Sequence, residues 1–326
     1  MVYRSTSVLR HCHKGATTFC NRPAAKKKSV FLLGLALVLL ALFIYSSIIR
    51  PLLEPLFSEL PRIPGGIGIK TLFMMLFSVF HAAYVLGWRH TLLFFGITVA
   101  VSWSYEHVGV ETGLIYGAYH YTDALGLKLG HVPIIIPIAW FMMIYPSYII
   151  ANLIAGGRQK VMMIRGNKSN SNNNYSNNRT TTLLQILGLS FLSAVIMTAW
   201  DLVVDPYLSG PAERAWIWED GGQYFGVPLH NFGGWLLTTF TIYFLFQLLS
   251  ERKFQVSPSR PLSTPIILLP LIGYGAMMVT NIIPGEPPEL RIIGPVVMGV
   301  PLAIAVSRLL KKNGDTAATH TRQASQ

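Results

Sequence analysis

TAWDLVVDPYLSG, residues 198–210, closes an apolar run that begins near residue 183, and it carries two carboxylates, Asp201 and Asp205. As a helix, 183–204 is long enough to cross bilayer hydrocarbon about 30 Å thick. An ionisable group at that depth costs about 3 kcal/mol or more, so such groups usually face a cavity and have a function. The plainer account is that the pair marks where lipid ends and water begins. The remaining chain bears on the choice.

Hydrophobic residues make up 52% of the 326, and charged residues only 12%. A soluble domain carries about twice that charged fraction. Further apolar runs fall at about 30–49, 67–88, 91–108, 132–155, 229–249, 263–283 and 291–309. Their length and continuity predict an all-α polytopic integral membrane helical bundle of about eight transmembrane helices, not a barrel. The net charge of +12 is distributed by connection. Most Lys and Arg lie in the N-terminal tail, at Arg89, between 156 and 182, between 251 and 262, and from Arg308 onward. All the acids except Glu251 and Asp315 lie at or near the opposite helix ends. The positive-inside rule then places both termini in the cytoplasm, and the charge sets orientation; it is not a nucleic-acid footprint.

The organisation expected is a disordered basic tail over 1–28, a transmembrane domain over 29–310 and a C-terminal tail over 311–326. The 156–182 connection reads as a cytoplasmic loop, with the Asn-rich KSNSNNNYSNNR, 168–179, unable to bury a core. Both cysteines, Cys12 and Cys20, sit in the tail, which disfavours a structural disulfide.

Three stretches gather on the acidic side. SYEHVGVETGLIYGAYHYTDALG, 104–126, places glycines at 109, 113 and 117, which on a helix would form one packing stripe. Its Glu106 and Glu111 are five apart and share a face only if the helix breaks. Tyr105, Tyr116, Tyr119 and Tyr121 interleave with them, and an interfacial aromatic belt is the plainer account of these rings. In the second stretch Asp201 and Asp205 are i,i+4 and face the same way while helical. Pro206 is expected to end the helix at Asp205. The negative end of the helix macrodipole and partial desolvation then favour the protonated carboxyl that a general acid needs. The third stretch, WIWEDGGQYFGVPLHNFGGW, 216–235, supplies Trp216, Trp218, Tyr224, Phe225, Phe232 and Trp235, with Asn231 as a polar handle. Its Gly221, Gly222 and Pro228 suggest a structured loop able to cap a cavity.

Metal and nucleotide chemistry find little support. The histidines are scattered, no Gly-rich dinucleotide fingerprint or P-loop occurs, and a lone His81 suits hydrogen-bonded packing. DLVVD does match the D-x-x-x-D with which membrane prenyltransferases hold magnesium and diphosphate. The second Asp-rich motif and the basic residues such sites use are missing from the acidic side. A transporter using the acids for protons or ions is a further alternative.

Taken in order, ETGLIYGAYHYTDALG, VPIIIPIAWFMMIYP, AWDLVVDP and YFGVPLHNFGGW resemble the carotenoid hydratases of the carotenoid biosynthesis membrane protein family. The resemblance is strongest over about 104–235 and extends over 67–310. It implies hydration of a terminal C=C in a long acyclic carotenoid, giving a tertiary alcohol. Protonation of such an alkene gives a tertiary cation that water captures, without metal or redox cofactor. That chemistry assigns Asp205 as proton donor, Asp201 as the group that orients its partner or the water, and Glu106 or Glu111 as base or water-positioning group. Tyr105, Tyr116, Tyr119, Trp200, Trp218, Tyr224, Phe225, Asn231 and Trp235 are the candidate substrate-binding residues, the aromatic rings facing the cation and Asn231 serving as a polar handle. The expected location is the cell membrane. The expected partners are the lipid-dissolved carotenoid, membrane lipids and other carotenoid-biosynthetic enzymes, with no nucleic acid.

Overall fold

The structure, a computed structural model, describes residues 22–57, 59–164, 179–253, 262–283 and 286–311. The two tails and the Asn-rich stretch lie outside the described residues, except where helix ends run into them. Eight long helices build the fold among the described residues. They are α1 (Arg22–Ile44, prolonged by a π-turn, Tyr45–Ile49, and by Arg50–Leu53), α2 (Gly66–Leu86) and α3 (Trp88–Thr112). A short helix, Ile135–Ala139, leads into α4 (Phe141–Ile164), followed by α5 (Arg179–Leu208), α6 (Leu229–Lys253) and α7 (Thr264–Ile282). The last, α8, starts as Leu290–Gly294 and continues through a π-turn, Pro295–Gly299, into Val300–Leu310. Seven of the eight are long and apolar enough to cross a membrane, and α3 is as long but more polar. The chain is a multi-pass membrane protein with an all-α bundle.

Local chemistry explains the joints. Each π-turn is followed by a proline, Pro51 or Pro301, whose ring and missing N–H disturb the preceding turn. Gly87 alone joins α2 to α3 at φ 81°, a backbone angle glycine adopts without a Cβ clash. α1 is helical from Arg22, inside the stretch read as tail, because Pro23 falls in the first turn, where a missing N–H costs nothing.

The core runs through α4, which packs against α2, α5, α7 and α8. Every residue from Ala139 to Leu153 is buried, as expected of a helix that is apolar all round. Polar side chains inside the bundle find backbone partners on neighbouring helices. Ser78 Oγ donates to Met142 O at 2.9 Å, Tyr243 to Ile144 O at 2.9 Å, and Tyr274 to Ile196 O at 2.8 Å. His81 has Nε2 2.9 Å from Ile266 O and Nδ1 2.8 Å from the Tyr145 hydroxyl. The carbonyl can only accept, so the proton sits on Nε2 and Nδ1 accepts from Tyr145. His81 is thus a satisfied packing residue.

Four short strands lie beyond the helix ends: β1 (Tyr119–Tyr121), β2 (Lys128–Leu129), β3 (Val132–Pro133) and β4 (Trp216–Trp218). β2 pairs with β3, and β1 with β4, both antiparallel. With Tyr116 they enclose a second, smaller aromatic core over the end of the bundle where α3 and α5 finish and α4 and α6 begin.

Candidate functional site

α5 brings Asp201 and Asp205 to that end, one turn apart and facing the first turn of α6. There the Asn231 amide donates to Asp201 Oδ2 at 2.9 Å and also to Asp205 Oδ2. An amide NH₂ has two hydrogens, so one side chain holds both carboxyls. Trp216 Nε1 donates to Asp205 Oδ1 at 2.8 Å. Asp201, Asp205 and Asn231 are 0, 1 and 2% exposed. Asp201 Oδ1 is buried without a hydrogen-bond partner, a costly arrangement of the kind retained at functional sites.

The expected helix end at Asp205 is not observed. α5 continues through Pro206 to Leu208. Pro206 has no N–H to offer Leu202 O, and the Tyr224 hydroxyl takes its place at 2.9 Å. Ser209 N and Oγ then close on Asp205 O at 2.9 and 2.8 Å.

Glu106 reaches the same end from α3 and is 4% exposed. Its Oε2 accepts the Tyr121 hydroxyl at 2.8 Å and the Tyr119 hydroxyl as well. The register of β1 on β4 is Tyr119↔Trp218, His120↔Ile217 and Tyr121↔Trp216. Alternate strand residues point to opposite faces, so the two tyrosines and two tryptophans turn inward. His120 faces out and bonds Glu219. Burial, and then the Glu106 charge, pushes both phenols well above the usual phenol range, which keeps them donors at neutral pH.

The expected helical stripe of glycines is also corrected. α3 stops at Thr112, and Gly113 at φ 69° and Gly117 at φ 101° turn the chain back on itself. Tyr116 thereby drops into a slot between α3 and α6. A Cβ at Gly109 would lie 2.6 Å from Tyr116 Cδ2, and one at Gly234 2.5 Å from Tyr116 Cδ1. The hydroxyl pairs with Thr238 Oγ1 at 2.7 Å.

These groups enclose a cavity of about 90 Å³. Asp205, Glu106 and Asn231 are its most polar lining residues, and Ile67, Thr71, Ile135 and Leu208 are half-buried members of the same lining. Trp140 and Trp235 stack with centroids 4.2 Å apart, and Trp200 meets Trp235 edge-on at 5.8 Å. Tyr116, Tyr119, Trp200, Trp218 and Trp235 also line it. Asp201 stands behind the wall, reached through Asn231.

Four expected residues are elsewhere. α3 is unbroken between Glu106 and Glu111, so the five-residue offset carries Glu111 away, with its side chain 61% exposed near His107. Tyr105 bonds Thr241 on α6 at 3.3 Å, and Tyr224 caps α5. Phe225 is 39% exposed and packs edge-on against Tyr224. Conversely, Trp140, Tyr121 and Trp216 line the cavity without having been singled out for the site. The alternation in YHY and WIW was the available signal for the latter two. Trp140 lies in an apolar run, where it reads as core. Among the described residues no group of three or more His, Cys, Asp or Glu could hold a metal ion, and no residue lining the cavity is basic.

A family model described as carotenoid biosynthesis protein matches residues 66–305, from α2 into α8. Among curated proteins, the bisanhydrobacterioruberin hydratase of Haloarcula japonica is 34% identical over 152 residues. That match covers 46% of this chain and 43% of the relative, less than half of either. No solved structure matches the chain.

Proposed function

Because the chain belongs to the carotenoid biosynthesis protein family, we propose that it is a hydratase of the cell membrane acting on an acyclic carotenoid end group. It adds water across the terminal C=C and yields a tertiary alcohol. The observation that carries this reading is the meeting of Asp205 and Glu106, both buried, on one aromatic-walled and largely apolar cavity, with buried Asp201 joined to Asp205 through Asn231. The name of the Haloarcula relative supports it.

In this mechanism the alkene π pair takes the proton of the Asp205 carboxyl, forming a C–H bond and leaving a tertiary cation on the neighbouring carbon. Indole and phenol faces stabilise that cation by up to about 2 kcal/mol each when desolvated. A water oxygen then bonds to the cationic carbon, and Glu106 accepts the proton the water loses. Asp201 orients Asp205 through their shared Asn231 donor. Protons return to Asp205 through solvent, so one water is consumed and no electrons change hands. The polyene, dissolved in lipid, reaches the carboxyls past the half-buried apolar residues of the lining, such as Ile67, Ile135 and Leu208.

Expression in a host that accumulates acyclic carotenoids tests the reading. The extracted pigment should gain the mass of one water, with its oxygen drawn from labelled water. Pigment of unchanged mass at normal protein abundance, or label arriving from molecular oxygen, rejects it. The D-x-x-x-D spacing keeps a magnesium-dependent carotenoid elongase as the second reading. Against it, Asn231 already occupies one oxygen of each aspartate and the cavity wall has no basic residue for a diphosphate. Loss of product on chelation with EDTA would favour that elongase.

A further inference from the structure

The β1–β4 ladder supplies hydrogen-bond donors to carboxyls on two different helices. Tyr119 and Tyr121 donate to Glu106 of α3, and Trp216 donates to Asp205 of α5. Tyr121 and Trp216 are directly opposed in the register, their ring centroids 6.0 Å apart and the planes at 77°. The two carboxyls belong to helices that each pack on α6. The ladder therefore forms a separate tie between them, across the cavity. Its donors are neutral, so they fix carboxyl orientation by hydrogen-bond direction without placing a cation beside a developing carbocation. The ladder is itself held from outside the site. Thr122 N and Oγ1 bond Ala215 O at 3.1 Å and Arg214 O at 2.7 Å, Glu219 N bonds Ala118 O at 2.9 Å, and His120 bonds Glu219.

We propose that this ladder is the positioning element of the site: Trp216 sets the proton donor, and Tyr121 with Tyr119 sets the group that receives the proton of water. The inference rests on the hydratase reading above. It divides the reaction into halves that leave different traces in heavy water. Where Asp205 is badly set, no C–D bond forms, and neither hydration nor exchange occurs. Where Glu106 is badly set, the cation forms but is captured slowly. It then collapses by losing a proton to the Asp205 carboxylate. Where the C–H bond broken is not the C–D bond just formed, because the C–C bond has rotated or an adjacent carbon gives up the proton, the recovered alkene carries deuterium.

Membranes bearing Tyr121→Phe, Trp216→Phe or His120→Gln, supplied with an acyclic carotenoid in D₂O, test the division by mass analysis of product and recovered substrate. Tyr121→Phe should lower hydration about tenfold, a fraction of what acid–base catalysis contributes, while raising deuterium in recovered substrate above the wild-type level. Trp216→Phe should lower hydration and exchange together. His120→Gln, which loosens only the outer face, should keep the wild-type ratio of exchange to hydration. Rates are taken per amount of protein in the membrane fraction. If Trp216→Phe does not accumulate, Trp216→His, which keeps a ring N–H, should retain more of both activities than Trp216→Leu. An exchange-to-hydration ratio that stays at the wild-type value in all three variants overturns the proposal and makes the ladder a structural cover only. Exchange that survives in Trp216→Phe and vanishes in Tyr121→Phe supports the ladder and overturns the assignment of the donor. A wild-type protein that neither hydrates nor exchanges overturns the hydratase reading instead.

Discussion

Asp205 and Asp201 differ in their surroundings although one helical turn separates them. Asp205 lines the cavity and is gripped on both oxygens by Trp216 and Asn231, whereas Asp201 has Asn231 alone. Asn is nearly isosteric with Asp but offers no acidic proton. Asp205→Asn should therefore abolish hydration, a loss of about 10²–10⁴-fold, with the protein still inserted. Asp201→Asn should slow the reaction less. Pigment analysis beside a membrane-fraction blot separates lost chemistry from lost protein, and a dead Asp201→Asn beside an active Asp205→Asn would reverse the two roles. Tyr116 gives a second expectation. A Cβ at Gly234 would lie 2.3 Å from Ile115 O and 2.5 Å from Tyr116 Cδ1, so backbone must move. Gly234→Ala should lower the thermal midpoint in detergent by an amount equivalent to about 1–3 kcal/mol, the usual cost of overpacking. Gly188→Ala, on α5 with nothing within 4 Å, should show no such loss. Individual acids were only partly legible from the sequence. Asp201, Asp205 and Glu106 stood out because charge is rare in apolar runs. Glu111 stood out equally and faces away, since its place depends on whether α3 breaks before or after it.

At the scale of elements, α5 shows how a proline is accommodated inside a helix near its end. Pro206 leaves Leu202 O unpaired, and the Tyr224 hydroxyl arrives from a loop to satisfy it. Tyr224→Phe should thus destabilise the protein by about 1 kcal/mol, the low end of the cost of an unpaired carbonyl, because the Leu202 carbonyl is only part-buried. It should leave the KM for carotenoid unchanged in the protein that remains folded. A raised KM at unchanged stability would instead return Tyr224 to the substrate site. The eight helices were legible because a bilayer leaves a spanning segment no other way to satisfy its backbone, and length plus apolarity suffice to find one. The strands were not. Three-residue segments such as YHY and WIW carry little signal, and their partners lie almost a hundred residues apart in the chain. The end of α5 was misplaced for the same reason, because the group that rescues Pro206 belongs to a distant loop.

For the whole molecule, orientation decides whether the site makes sense. Asp205, Glu106 and Asn231 can share a cavity, with Asp201 behind Asn231, only if α3 and α5 finish on the membrane face where α6 begins, as they do here. Most Lys and Arg lie in the connections at the other end, which the positive-inside rule assigns to the cytoplasm. The reacting carbon would then meet water on the outer face, while the polyene stays within lipid. Four helices, α5 to α8, separate the 156–182 connection from the C-terminus. An even number returns the chain to its starting side. Reporter fusions after residue 170 and at the C-terminus should therefore both report cytoplasm, and one inserted after Gly210, between α5 and β4, should report the opposite side. Opposite locations for the first two would mean that one of α5 to α8 does not cross. If the third instead reported cytoplasm, α5 would not cross, and its two aspartates could not meet the end of α3 at one membrane face.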